Sequence, residues 1–142
     1  MAEPHKKKKI LIVEDDPEML DLLSTLLLQA GYEVARAEHA LGAVCSVVRA
    51  APDLVLADIR LPILNGLGLV SELKAHQDTR HIPVVALTGY DTQWTRESAF
   101  KAGCDGYLSK PIDARIFPEQ IAAFFDESKR AQASTSAGVN QG

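Results

Sequence analysis

Leu54-Val55-Leu56-Ala57-Asp58 is an unbroken apolar run that ends on a carboxylate. A short continuous run of this kind, rich in branched side chains, reads as a strand buried on both faces, as in a parallel sheet covered by helices on either side. Ile10–Val13, bounded by charges, and Ile82–Leu87 have the same form, while Tyr32–Ala37 and Gly106–Ser109 read as weaker strands. Helical patterns fill the intervals. Pro17–Ala30 carries Met19, Leu22, Leu23, Leu26, Leu27 and Ala30 at helical spacing, with Asp16 placed to cap it, Pro17 suited to its first position and Gly31 to its end. Further helices are expected around Ala40–Ala50, Leu64–His76, Thr92–Ala102 and Ala114–Ser128. Strand and helix alternating five times predict an α/β domain with a parallel sheet wrapped on both faces.

Composition narrows the function. The chain has 142 residues, 46% of them hydrophobic, and a formal net charge of -4. That suits one domain with a sizeable core, and the acidic balance disfavours contact with nucleic acid. No apolar run is long enough to span a membrane, and no apolar stretch after the N-terminal lysines makes a secretory signal. Cys45 and Cys104 stand far apart in no metal spacing and read as buried free thiols of a cytoplasmic protein. Residues 1–8 form a basic leading segment. The run Lys6-Lys7-Lys8-Lys9 reads as the solvated start of the first strand, with a phosphate or partner patch as the alternative. Residues 129–142 are expected to be a disordered tail, AQASTSAGVNQG from Ala131 on being small, polar and aperiodic. The folded domain is thus expected over residues 9–128, with too little chain beyond it for an output domain. The Met1 start and fading tail favour a stand-alone domain over an excised piece.

The residues at the C-terminal ends of the apolar runs matter most. The first run leads into Glu14-Asp15-Asp16, the third ends in Asp58, the fourth leads into Thr88-Gly89 and the fifth into Ser109-Lys110-Pro111. In an open parallel sheet those ends share one edge, where ligands bind. Residues far apart in sequence should therefore converge on one shallow pocket holding carboxylates, a hydroxyl and an ammonium. Such carboxylates repel by about 4 kcal/mol per pair at 4 Å and an effective dielectric of 20. A hard divalent cation with oxygen ligands removes that cost, and Mg²⁺ is its natural occupant. With Lys110 as a fixed positive charge, the set suits a site receiving a phosphoryl group. A carboxylate can itself be the nucleophile, and Thr88 is placed to donate its hydroxyl to a phosphoryl oxygen. Each residue also has a plain structural reading. Asp58 can be a turn aspartate, Glu14 and Asp15 can lead into the helix cap, Thr88 can cap the next helix, and Lys110 can be a surface lysine before a turn proline. Chance agreement of four strand ends is the weaker explanation.

The segments ILIVEDDPEML, PDLVLADIRLPILNGLGLV, IPVVALTGY and GCDGYLSKPID resemble the receiver domain of bacterial two-component response regulators, over about Lys9–Ser128. The resemblance implies a flavodoxin-like sheet of order 2-1-3-4-5 with five helices. It implies that Asp58 is the phosphoacceptor and that Glu14 and Asp15 hold Mg²⁺ together with Asp58 and the backbone carbonyl of Arg60. Thr88 would be the switch hydroxyl, Lys110 the phosphate-binding lysine and Tyr107 the switch aromatic, with a cis Lys110–Pro111 peptide. Asp16 is then a helix cap rather than a ligand. Pro62 and Gly66 match the family's loop after the phosphorylation site. Glu14 stands where aspartate is commoner. Arg60 and Tyr90 occupy positions that tune how fast the phosphoryl group is lost to water. Both are bulky, which implies slowed hydrolysis, and Arg60 is also placed to pair with Glu14. The implied partners are a sensor histidine kinase or phosphotransfer protein as donor, and a downstream protein docking on the fourth helix, fifth strand and fifth helix, where Trp94 lies. Monomer or weak phosphorylation-dependent dimer is the implied state.

Two competing readings fit less well. A phosphatase of haloacid-dehalogenase type also forms an aspartyl phosphate with Mg²⁺, but Asp58-Ile59-Arg60 lacks that class's second aspartate and no cap domain is present. A nucleotide- or flavin-binding module would want a glycine-rich first turn, whereas Glu14-Asp15-Asp16-Pro17 is acidic. The expectation is a signalling switch that assists its own phosphorylation and dephosphorylation, not a turnover enzyme.

Overall fold

The apolar runs assemble into one parallel five-stranded sheet of order β2-β1-β3-β4-β5. The computed structural model describes residues 7–38, 40–59, 66–89 and 91–125. Along the chain they form β1 (Lys9–Val13), α1 (Pro17–Gln29), β2 (Glu33–Ala37), α2 (Ala40–Ala50), β3 (Leu54–Asp58), α3 (Gly66–Ala75), β4 (Val84–Thr88), α4 (Gln93–Ala102), β5 (Gly106–Ser109) and α5 (Phe117–Phe125). This is the expected flavodoxin-like order. The basic segment up to Lys6 and the tail beyond Phe125 lie outside the described residues.

Period-two alternation explains why strands without polar residues are needed. Leu11, Val13, Val55, Ala57, Val84 and Ala86 face one layer, completed by Val47, Leu69, Val70, Leu73 and Ala99 of α2, α3 and α4. Ile10, Ile12, Leu54, Leu56, Val85 and Leu87 face the other, completed by Leu20, Leu23 and Leu27 of α1 and Phe117, Ile121 and Phe124 of α5. Both layers are buried, and each fully buried aliphatic side chain contributes about 1.5–3 kcal/mol. Gly106 belongs in β5 because α5 lies so close that a Cβ there would collide with the Phe124 ring.

The helix ends follow local chemistry. Asp16 caps α1, accepting from the Glu18 N–H at 3.1 Å, and Gly31 takes the left-handed φ of 98° beyond its end. Thr92 caps α4 instead of beginning it, accepting from the Thr95 N–H. Most boundaries fall within a residue of expectation, and the starts of β4 and α5 differ by more. β4 starts at Val84 rather than Ile82, because Pro83 has no N–H and offers only its carbonyl, which accepts from Val55 at 2.9 Å. α5 starts at Phe117 rather than Ala114: Asp113 accepts from the Arg115 N–H at 3.0 Å and ties residues 114–116 into a turn. Cys104 is buried, but Cys45 is exposed, against expectation. Among the described side chains of α2, Val47 is the one buried in the core, and two helical steps of about 100° turn Cys45 away from it. Among the described residues no helix is long and apolar enough to cross a membrane.

Candidate functional site

Register brings the reactive residues to one edge. Val13 lies opposite Ala57, so Glu14 and Asp58 leave adjacent strands side by side. Glu14 continues the ladder through its N–H to the Ala37 carbonyl at 3.0 Å. Asp58 pairs with Leu87 and Thr88 with Ser109, and the Lys110 N–H donates to the Thr88 carbonyl at 2.7 Å. The Lys110–Pro111 peptide is cis.

Glu14, Asp15 and Asp58 each present a carboxylate oxygen, all within 4.8 Å of one another. Glu14 and Asp58 are buried and Asp15 is exposed, so the cluster is open on one side. Lys110 reaches across it. Its Nζ donates to Asp58 Oδ2 at 3.1 Å and lies 3.1 Å from Glu14 Oε1. That second contact is an ion pair, and the buried Glu14 Oε1 has no other partner among the described residues. Glu14 Oε2 accepts from the Asp16 N–H at 3.1 Å. Thr88 is fully buried at the end of β4.

The charges are not balanced. Burial raises the Glu14 pKa above the usual carboxylate range, the Asp16 N–H opposes that, and the Asp58 charge adds to it, while Lys110 lowers it in part. Burial works against the Lys110 ammonium too, but Asp58 and then Glu14 outweigh it and raise its pKa. One ammonium thus serves two buried carboxylates, and Glu14 Oε1 has that shared ammonium alone. A hard cation with oxygen ligands fits this donor set: it would complete Glu14 Oε1 and relieve the mutual repulsion of three carboxylates. Arg60, whose carbonyl was the fourth expected ligand, lies outside the described residues, as do Pro62 and Tyr90, so slowed hydrolysis stays an expectation.

On the β5 side, the Tyr107 ring stacks on Phe100 with centroids 6.5 Å apart, under the Arg96 guanidinium, whose carbon is 5.2 Å from the ring centroid. Arg96 in turn donates to Asp91 Oδ1 at 2.6 Å. Burial, then the Asp91 charge, push the Tyr107 pKa up to about 12, with Arg96 opposing. Trp94 on α4 is 73% exposed. Nothing in the sequence marks Asp91 or Arg96, because charged residues at a helix start read by default as solvated.

Residues 10–122 match the response regulator receiver domain family, and the chain belongs to it. It is 36% identical over 121 residues, 85% of this chain and 98% of the relative, to the polar-differentiation response regulator DivK of Brucella anthropi. A putative response regulator from Chloroflexus aurantiacus superposes with a TM-score of 0.79 at 28% identity, over 89% of this chain and 99% of that one. The receiver domain of the sensor histidine kinase PA1611 from Pseudomonas aeruginosa does so with a TM-score of 0.74 at 33% identity, over 80% of this chain and 93% of that one. That structure has a magnesium ion coordinated in its active-site cleft. The protein is accordingly a response regulator receiver domain of two-component, phosphorelay signalling, and nothing favours the phosphatase alternative.

Proposed function

We propose that Asp58 is the phosphoacceptor, taking a phosphoryl group from the phosphohistidine of a sensor histidine kinase or phosphotransfer protein. The arrangement that supports this reading is Lys110 Nζ set 3.1 Å from both Asp58 Oδ2 and Glu14 Oε1 beside three clustered carboxylates. An Asp58 oxygen forms its bond to phosphorus as the P–N bond breaks. The bonding pair goes to the donor imidazole nitrogen, and a ring protonated on its other nitrogen leaves neutral. Lys110 moves from its carboxylate partners toward the incoming equatorial oxygens, whose charge it stabilises. Thr88 donates its hydroxyl to one of them. Glu14, Asp15, Asp58 and the Arg60 carbonyl would hold Mg²⁺, which supplies charge neutralisation at the phosphoryl oxygens when bound.

The resulting change is local charge turned into surface shape. Once the Thr88 hydroxyl turns to the phosphoryl group, Tyr107 moves into the space it leaves, and the surface of α4, β5 and α5 with exposed Trp94 presents a different face to a downstream protein. The chain acts in the cytoplasm as a switch, monomeric or weakly dimeric once phosphorylated, turning over no free substrate. Incubation with acetyl phosphate and Mg²⁺ should add one phosphoryl group by intact mass. Asp58→Asn should abolish it, and equal labelling of that variant would refute the assignment. Addition of beryllofluoride with Mg²⁺ should change Trp94 emission in the unaltered protein, not in Asp58→Asn, and less in Thr88→Ala.

A further inference from the structure

The position of Tyr107 is over-determined. Phe100 lies against one part of its ring and Arg96 over it, while Asp91 fixes Arg96 by an ion pair of 2.6 Å. The Arg96 side chain is only 19% exposed and that of Asp91 41%. Ion pairs between freely moving surface side chains contribute little. Here, however, one rigid guanidinium is used twice, donating to a carboxylate and lying over a ring, so less freedom is lost for each contact made.

We propose that Asp91 and Arg96 form a clasp that holds Tyr107 on α4 and so sets how readily the receiver switches. They are positioning residues and do not touch the phosphoryl group. The inference rests on the reading in which Tyr107 moves when Asp58 is phosphorylated. A turn of the Tyr107 side chain away from its present position cannot keep the ring both on Phe100 and under Arg96, so those contacts stabilise the unphosphorylated arrangement alone. An interaction present in only one of two states shifts their ratio by its full worth, and lowers the affinity of a ligand that selects the other state by the same factor. A partly desolvated cation–π contact with its supporting ion pair corresponds to about three- to tenfold. Burial and the Asp91 charge keep the Tyr107 hydroxyl protonated, with a pKa of about 12, so the clasp does not release by ionisation of the ring at neutral pH.

The test uses the full chain labelled with 3-fluorotyrosine, its three tyrosine signals assigned by Tyr→Phe substitution. Beryllofluoride is titrated in the presence of Mg²⁺. Arg96→Leu should bind the mimic about three- to tenfold more tightly, and its mimic-free Tyr107 signal should already lie toward the bound position of the unaltered protein. Asp91→Asn should show the same change at roughly two- to threefold. Arg96→Lys should fall between, keeping the charge but not the rigid planar fork that reaches carboxylate and ring together. Glu97→Gln, which removes a charge bonded to Gln93 on the same helix, should change neither reading. Should Arg96→Leu fail to fold by circular dichroism, Asp91→Asn and Arg96→Lys carry the comparison. Equal or weaker mimic affinity in these variants, with Tyr107 unmoved, overturns the clasp and leaves the phosphoacceptor reading intact. A mimic that ignores the unaltered protein, or binds Asp58→Asn equally well, overturns both.

Discussion

The two edges of the sheet use the same kinds of charged group to opposite ends. At the edge where the strands begin, Lys74 Nζ donates to the carbonyls of Arg80 at 3.2 Å and Ile82 at 2.8 Å, and to Asp105 Oδ2 at 2.8 Å. Asp105 Oδ2 also accepts from the Val84 N–H at 2.9 Å, and Asp53 accepts from the Lys9 N–H at 2.8 Å. All three ammonium protons of Lys74 are bonded, and the pair locks α3 to the starts of β4 and β5. At the edge where the strands end, one ammonium is shared by two buried carboxylates, with a third exposed and Glu14 Oε1 held by that ammonium alone. A closed set of charges is cement, because a satisfied buried network rigidifies its surroundings. An open set is unfavourable alone and becomes favourable when something binds.

Cys104 reports on the closed edge, beside Asp105. Burial, then the Asp105 charge, push its pKa up to about 12, with Lys74 opposing. At pH 8 only about one thiol in ten thousand would be ionised there, against about a quarter for an ordinary thiol. Cys45 is exposed. Alkylation at pH 8 should therefore modify Cys45 at least about a thousandfold faster than Cys104, by peptide mass. The same shift makes the native state lose stability at high pH. The unfolded thiol ionises first, so the contribution is complete below the ordinary thiol pKa and is lost as pH rises toward about 12. Comparable labelling rates would mean that this edge is not closed.

Breaking the lock itself should have the next largest effect. Lys74→Met leaves Asp105 partly buried with its ammonium partner gone and strips two carbonyls of their donor. A loss of about 3 kcal/mol is expected from urea denaturation. Asp58→Asn at the open edge should cost less than about 1 kcal/mol, or stabilise, since it removes one of the crowded carboxylates. Similar losses in both variants would erase the distinction between the edges.

These edges were unequally legible in the sequence. The open edge could be read because each reactive residue sits directly at the end of an apolar run, so local pattern alone places Glu14, Asp58, Thr88 and Lys110 at strand ends. The roles assigned to them came from the resemblance to a family. The closed edge left no local trace: Lys74 and Asp105 are 31 residues apart and meet only because α3 packs beside β4 and β5. Arg96 over Tyr107 was hidden for the same reason. Cys45 was misplaced because small apolar residues cover much of α2, so its buried face cannot be phased without the sheet. The start of α5 was misread because the Asp113 turn competes with the first helical turn for the same backbone donors.

An effect smaller than loss of the Lys74 lock lies at the open edge and tests the sense in which it is open. If the carboxylates of Glu14, Asp15 and Asp58 wait for a hard cation, Mg²⁺ must bind the folded chain and not the unfolded one, and binding must raise stability. At a free concentration ten times the dissociation constant, the gain is about 1.4 kcal/mol. A melting scan at pH 7.5 should show a rise of several degrees for a domain of this size. Asp15→Ala removes the exposed ligand without opening a cavity and should abolish the rise. Glu14→Gln should behave differently. Burial and the Asp58 charge already disfavour the Glu14 carboxylate, so the neutral amide should raise the stability of the metal-free protein while shrinking the Mg²⁺ increment. Stability gained without metal and response lost with it is the signature of a site whose repulsion is held in reserve for a ligand. An unchanged Mg²⁺ increment in both variants would show that these carboxylates are not where the cation binds.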